Sequence, residues 1–276
     1  MPNHLELNMK FRILNLLLFL AAMIFLESCA TVPLTGRKQF VAIPSSQMLA
    51  LSADSYSQVL NESKLSSNQA YVSMVRSVGQ KLTVAVEAYL KQNNLESAIA
   101  GYDWQYNVIV SPELNAWCMP GGQIAFYEGI MPVCEDEAGV AVVMGHEIAH
   151  AVAQHGNERM SQQLAIQMGG IALSEALSKQ KDETIALAML AFGVGTQVGV
   201  QLPYSRTHES EADELGLYFM AMAGYNPQVA PVFWERMSKD GAARPPEFLS
   251  THPDPSNRIA HLQEIMPKAM EYYNAR

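Results

Sequence analysis

The sequence predicts a mostly helical α+β domain with a small, mainly antiparallel sheet. Three observations predict it. Residues 68–92 carry Val72, Val75, Leu82, Val86 and Tyr89 at helical spacing, and residues 137–155 form a second helical stretch that is apolar on most sides. Between them lie short runs rich in aromatic and β-branched residues: 104–110 (WQYNVIV), 116–119 and 123–127, the last two joined by Pro120-Gly121-Gly122. At the far end, Pro255 opens a helix whose inward face is Ile259, Leu262, Ile265, Met266 and Ala269.

In chain order, Lys10 and Arg12 precede an apolar run over residues 13–26 that ends at Leu26-Glu27-Ser28-Cys29. A basic start, an apolar middle and small residues at the end read as an export signal. Leu-x-Ser-Cys resembles a bacterial lipobox, although Glu27 departs from the usual small residue. The expectation is a signal peptide over 1–28, a lipid on Cys29, and a lipidated tether over 29–46. Pro33, Gly36 and Pro44 make that tether extended. By the same resemblance, with Ala30 following, the protein sits on the periplasmic side of a Gram-negative envelope, at the outer membrane. Residues 47–276 then form one domain. A chain of 276 residues, 49% hydrophobic and 16% charged, suits that size. A net charge of −9 with no basic cluster excludes nucleic acid as a partner.

The helix over 137–155 contains His146-Glu147-Ile148-Ala149-His150. Two imidazoles and a carboxylate among Ala, Val, Met and Ile are costly unless a cation compensates them. Four residues apart on a helix, His146 and His150 share a face and can meet one Zn²⁺ at about 2.0–2.1 Å. Glu147 then serves as general base without being a ligand. His155 falls off the ligand face by helical geometry and fits no pattern. The small sheet lies directly before this helix, where an edge strand can take an extended peptide as an added strand. Cys118 and Cys134 have no metal-ligand spacing. A disulfide between them is open, with two buried free thiols the favoured reading.

Residues 161–200 are apolar and glycine-rich with a polar break at 178–184. They read as two helices covering the active site, with a membrane-dipping hairpin as the alternative. Residues 203–213 follow: Pro-Tyr-Ser-Arg-Thr-His-Glu-Ser-Glu-Ala-Asp. Glu209 and Asp213 share one helical face, so Glu209 can be the third ligand from a second helix and Asp213 can hold a ligand histidine's free N–H. Glu211 points about 200° away from Glu209. His208 is the rival ligand, but it would leave Asp213 without a partner at helical spacing.

HEIAH, YSRTHESEAD and STHPDPSNR together resemble the CAAX-prenyl-protease and HtpX-like zinc metallopeptidases. They are most similar to the soluble periplasmic lipoproteins and the mitochondrial stress protease of that group. PLTGR at 33–37 and NAWCMPGG at 115–122 add to the likeness, which covers roughly residues 31 to 270. Cys118 departs from the small or aliphatic residue usual there. The resemblance implies a zincin-like fold, one zinc held by His146, His150 and Glu209, and Glu147 as the base. It implies an edge strand facing the active site, with Asn115, Gly122 and Ile124 holding substrate backbone. It also brings the His252-Pro253 loop to the zinc, so that His252 acts catalytically or fills the open position, and pairs Arg258 with a carboxylate such as Asp213 or Glu211. The function implied is an endopeptidase acting on misfolded or unassembled envelope proteins, with unfolded or extended polypeptides as substrates. An envelope assembly factor with a latent metal site is the alternative.

Overall fold

A computed structural model describes residues 29–240, 252 and 255–275. The leader over 1–28 and the two prolines' neighbourhood at 253–254 lie outside the described residues. Eight helices are labelled here: α1 (Ser45–Glu62), α2 (Gln69–Gln92), α3 (Glu137–Val152), α4 (His155–Ala176), α5 (Asp182–Thr196), α6 (Leu202–Ala223), α7 (Val229–Asp240) and α8 (Pro255–Asn274). With two small sheets, the mostly helical α+β class holds.

The core forms where α2, α3, α6 and α8 pack together. In α2, Val75, Val78, Leu82, Val86 and Leu90 are fully buried along one stripe, and the Asn68 side chain caps the helix by accepting from the Ala70 and Tyr71 backbone N–H groups. Helix α3 is buried along nearly its whole length, as its uninterrupted apolar composition requires. It crosses α6 at a pair of glycines. A Cβ on Gly145 would lie 2.8 Å from the Gly216 carbonyl oxygen, and one on Gly216 would lie 2.7 Å from the His146 nitrogen. The two backbones therefore touch, and side chains on either side of the crossing face each other at close range.

The main sheet contains β3 (Gln105–Ile109), β4 (Ala116–Met119) and β5 (Gln123–Tyr127) in the order β3-β5-β4. Strands β4 and β5 form the expected antiparallel hairpin, turned by Gly121 and Gly122 at φ +106 and +89. Strand β3 pairs in parallel on the other side of β5, so β5 is central and not the edge. The edge that runs along α3 is β4.

Residues 29–46, expected to be an extended tether, fold as a strand pair and turn docked on the domain. Strand β1 (Cys29–Thr31) pairs antiparallel with β2 (Lys38–Phe40), and the intervening turn uses Leu34 at φ 69 and Gly36 at φ 70. Val32, Gln39 and Ile43 are buried against the domain. Charge explains the docking: Arg37 reaches two carboxylates in the interior, contacts that its Pro- and Gly-rich surroundings do not reveal. Nor do the apolar residues over 161–200 pack down as the expected cover on the active site. Met168, Ile171, Leu187 and Leu190 on α4 and α5 are 65–71% exposed. Helix α5, a π turn (Gln197–Gln201) and α6 run on as one helix, Asp182–Ala223, long and apolar enough to cross a membrane; none of its most apolar window is buried. Cys118 and Cys134 are both free thiols.

Candidate metal centre

Four donor residues converge where α3 crosses α6: His146 and His150 from α3, Glu209 from α6, and His252. All four are buried. His146 Nε2 and His150 Nε2 are 3.0 Å apart. Glu209 lies 3.3 Å from the first through Oε2 and 3.5 Å from the second through Oε1. His252 Nδ1 is 3.2 Å from His146 Nε2 and 3.1 Å from the Glu209 carboxylate. Ligands around a tetrahedral zinc at about 2.0–2.1 Å are separated by about 3.3 Å, so these distances fit the edges of a zinc tetrahedron.

Three of the donors, His146, Glu209 and His150, are held from behind. His146 Nδ1 faces Asp213 Oδ1 at 2.9 Å, the arrangement the i, i+4 spacing of Glu209 and Asp213 predicts. Arg258 donates through Nε to Asp213 (2.7 Å) and through Nη2 to Glu209 (2.9 Å), with its guanidinium 4.0 Å above the Trp234 ring. Burial alone would raise the Glu209 carboxyl, but the surrounding imidazoles hold it ionised, well below the usual range. Burial pushes the His150 imidazolium down, so its ring stays neutral with a lone pair to give.

Glu147 sits beside this group and is not one of the four. Its Oε1 is buried without a hydrogen-bond partner among the described residues, 3.6 Å from His252 Nε2. Burial raises its pKa, opposed by His252 and His146, and the Cys118 backbone N–H donates to the carboxylate. A buried carboxylate of raised basicity, with an oxygen turned toward the donors, is equipped to accept a proton there.

The sheet residues need correction. Asn115 lies at the start of β4, where its carbonyl accepts from the Tyr127 N–H. Gly122 spends its N–H on the Met119 carbonyl and its own carbonyl on the Gln105 N–H. Ile124 is fully buried in the central strand, paired on both sides, with its carbonyl also accepting from the Tyr56 hydroxyl. Neither Gly122 nor Ile124 has a free edge to offer. Since the Asn115 and Met119 carbonyls face β5, strand alternation turns the backbone groups of Ala116 and Cys118 outward.

One contributor escapes sequence reasoning. Gln154 takes a left-handed conformation (φ 58, ψ 31) and breaks the helix, so His155 starts α4 in a new direction. Its fully buried ring stands 2.8 Å from His150, Nδ1 to Nδ1, and its Nε2 stands 2.9 Å from Glu211 Oε2. Helical arithmetic carried past Gln154 places His155 on the wrong face. Glu211 also accepts from Thr35 and Arg37 of the N-terminal turn. The signal that could have found it is the grouping of ionisable residues His155 and Glu158 just after His150 with His208 and Glu211 beside Glu209.

A zinc-type donor tetrahedron with an adjacent carboxylate base, between a glutamate-bearing helix and a sheet edge, defines a metallopeptidase. Residues 77–266 match peptidase family M48, and the chain belongs to that family. It is 31% identical over 240 residues to the mitochondrial metalloendopeptidase OMA1 of Schizosaccharomyces pombe, covering 86% of this chain and 66% of the relative. To the mitochondrial metalloendopeptidase OMA1 of Homo sapiens it is 30% identical over 247 residues, 87% of this chain and 46% of the relative. The beta-barrel assembly-enhancing protease of Escherichia coli is 28% identical over 162 residues, 57% of this chain and 33% of the relative. The chain thus spans about one third to two thirds of the length of these relatives. Family M48 peptidases use zinc, which the donor set here fits. The relatives overturn the expected periplasmic, outer-membrane location: those that match most of the chain are named as mitochondrial. An apolar leader with basic residues before it specifies passage toward a membrane and not which membrane.

Proposed function

We propose that the protein is a zinc-dependent endopeptidase that cuts extended stretches of misfolded or unassembled proteins. The observation that carries this reading is the tetrahedral set of His146, His150, Glu209 and His252 with Glu147 beside it. Zinc held by His146, His150 and Glu209 would supply the Lewis acid that polarises the scissile carbonyl. Asp213 and Arg258 orient the donors. Glu147 takes the proton of the attacking water and passes it to the leaving amine. The outward backbone groups of Ala116 and the outward Cys118 carbonyl pair with substrate as an added strand, with the Asn115 side chain at the head of that edge, so recognition is by backbone and favours unfolded chain. His252, the fourth donor of the cluster, would be available to hold the zinc at rest and, displaced by substrate, would donate to the developing oxyanion. The names of the relatives, metalloendopeptidase and assembly-enhancing protease, support this class of activity. Within family M48, HEIAH with YSRTHESEAD and STHPDPSNR supports the CAAX-prenyl-protease and HtpX-like subgroup.

The test compares wild type with Glu147→Gln and Glu209→Ala. Glu147→Gln keeps about one zinc per chain by elemental analysis and loses cleavage of an unfolded protein, whereas Glu209→Ala loses the zinc. Proteome fragments that persist unchanged in Glu147→Gln, with altered client levels, would replace the peptidase by an assembly factor with a latent site.

We further propose that residues 1–28 are a removable leader, that Cys29 carries the lipid, and that residues from 47 on form the peptidase domain to which the N-terminal strand pair is docked. Two or three acyl chains at about 0.8 kcal/mol per buried CH₂ suffice for stable membrane attachment. Mass spectrometry of the mature N-terminus is expected to find an acylated Cys29; an unmodified one defeats this assignment.

A further inference from the structure

His150 has two ring nitrogens, and its surroundings decide which of them carries the proton. Its Nε2 faces the other donors, 3.0 Å from His146 Nε2. Its Nδ1 faces away and meets His155 Nδ1 at 2.8 Å, a distance that requires one proton between the two nitrogens. His155 Nε2 meets Glu211 Oε2 at 2.9 Å. The Glu211 carboxylate accepts from the Thr35 hydroxyl and from Arg37 Nε, so it is an acceptor toward His155 as well. The proton of His155 therefore sits on Nε2, and its Nδ1 must accept. It follows that His150 is protonated on Nδ1 and keeps the Nε2 lone pair for the metal.

We propose that His155 is a positioning residue for the metal centre. It relays the charge of Glu211 to His150 and makes zinc affinity depend on docking of the N-terminal turn through Arg37. The proposal rests on reading the four-donor cluster as a zinc site. His146 shows what is unusual here, because its Nδ1 is held directly by the carboxylate of Asp213, on the same helix as Glu209. His150 is held by an interposed imidazole whose own anchor lies in a different part of the chain. Arg37 is the residue that closes the network. It reaches Glu211 through Nε at 2.8 Å and Glu158 through Nη2 at 2.8 Å, and Glu158 in turn meets His208 Nε2 at 2.8 Å. The His208 ring stacks on His155 with centroids 4.2 Å apart and planes at 13°, which fixes the plane of the relay imidazole. The Phe40 backbone N–H also donates to Glu158, so strand β2 is tied to the same group of charges. Removing the N-terminal turn would leave two buried carboxylates without their shared cation.

The experiment uses the full chain and reads zinc affinity by competition with a chelator, together with ¹⁵N-histidine NMR of the zinc-loaded protein. His155→Leu is expected to lower zinc affinity by about 10–100-fold. His155→Asn keeps an acceptor near His150 Nδ1 and recovers most of that loss, and Arg37→Gln gives a smaller loss in the same direction. The NMR spectrum is expected to show the His155 ring protonated at Nε2 and bare at Nδ1. A His155→Leu protein that is folded by circular dichroism and holds zinc as tightly as wild type overturns the relay. So does a His155 ring protonated at Nδ1, a result that stands even where the leucine variant does not fold. Wild-type protein that binds no zinc removes the metal reading itself, and that outcome is distinct from both.

Discussion

The two uses proposed for His252 are chemically opposed at one position. Its Nδ1 stands with the three other donors, and its Nε2 is 3.6 Å from the Glu147 carboxylate. In the proposed reading an imidazole at the fourth donor position would keep water out, and the same ring, displaced by substrate, would donate to an oxyanion. The two uses predict opposite behaviour for His252→Ala. Loss of an oxyanion donor lowers kcat by about 10²–10³ with zinc retained, whereas loss of a brake raises basal and self-cleavage. The expected outcome is the fall in kcat. Steady-state kinetics and zinc content of the variant check it, and unchanged rates in both assays would make His252 a bystander.

At the scale of elements, the site depends on how closely two helices approach. Helix α3 supplies His146, Glu147 and His150; α6 supplies Glu209 and Asp213; Gly145 and Gly216 let their backbones touch. A methyl group on Gly216 would meet backbone atoms of His146 at 2.7–2.9 Å, and backbone cannot step aside as a flexible side chain can. Gly216→Ala is therefore expected to push the helices apart, costing about 1–3 kcal/mol and weakening zinc binding together with it. Gly193→Ala is the contrast: an added Cβ there meets nothing, and the helix gains up to about 1 kcal/mol from propensity. Thermal melts and chelator competition on the two variants check the pair. Equal melting temperatures would show that the crossing is looser than its geometry.

Over the whole molecule, burial is divided unevenly. The hydrophobic core is built mainly from α2, α3, α6, α7 and α8, whereas α4 and α5 project their apolar side chains outward. Leu187, Leu190 and Val194 are 69%, 65% and 54% exposed, so their hydrophobicity contributes little to folding. Replacing the three by serine is expected to change stability by less than about 1 kcal/mol each, while Leu82→Ala in the core costs about 2–5 kcal/mol. Denaturant melts of the two variants check this. A large loss for the serine variant would mean that these side chains are buried in the protein as it exists in solution.

The donor cluster of the candidate metal centre was partly legible in the sequence because local periodicity carries it. His146 and His150 at i, i+4, and Glu209 with Asp213 at i, i+4, each lie within one unbroken helix, so residue spacing alone sets which side chains share a face. The fold class and the buried stripes of α2 and α8 follow from the same kind of local pattern, while the metallopeptidase family was read from the resemblance carried by HEIAH, YSRTHESEAD and STHPDPSNR. What only the tertiary structure decided lies where the chain leaves a regular element or pairs over a long distance. Strand β3 joins β5 in parallel and makes β4 the edge, a choice between sheet orders that strand composition does not encode. Gln154 turns the chain and swings His155 behind His150, which removes the phase that helical arithmetic needs. Arg37 is held by Glu158 and Glu211, more than a hundred residues away, so a segment with the composition of a tether becomes part of the core. The exposure of α5 is likewise a tertiary fact: its apolar composition is that of a buried helix, and only the position of its neighbours leaves it uncovered.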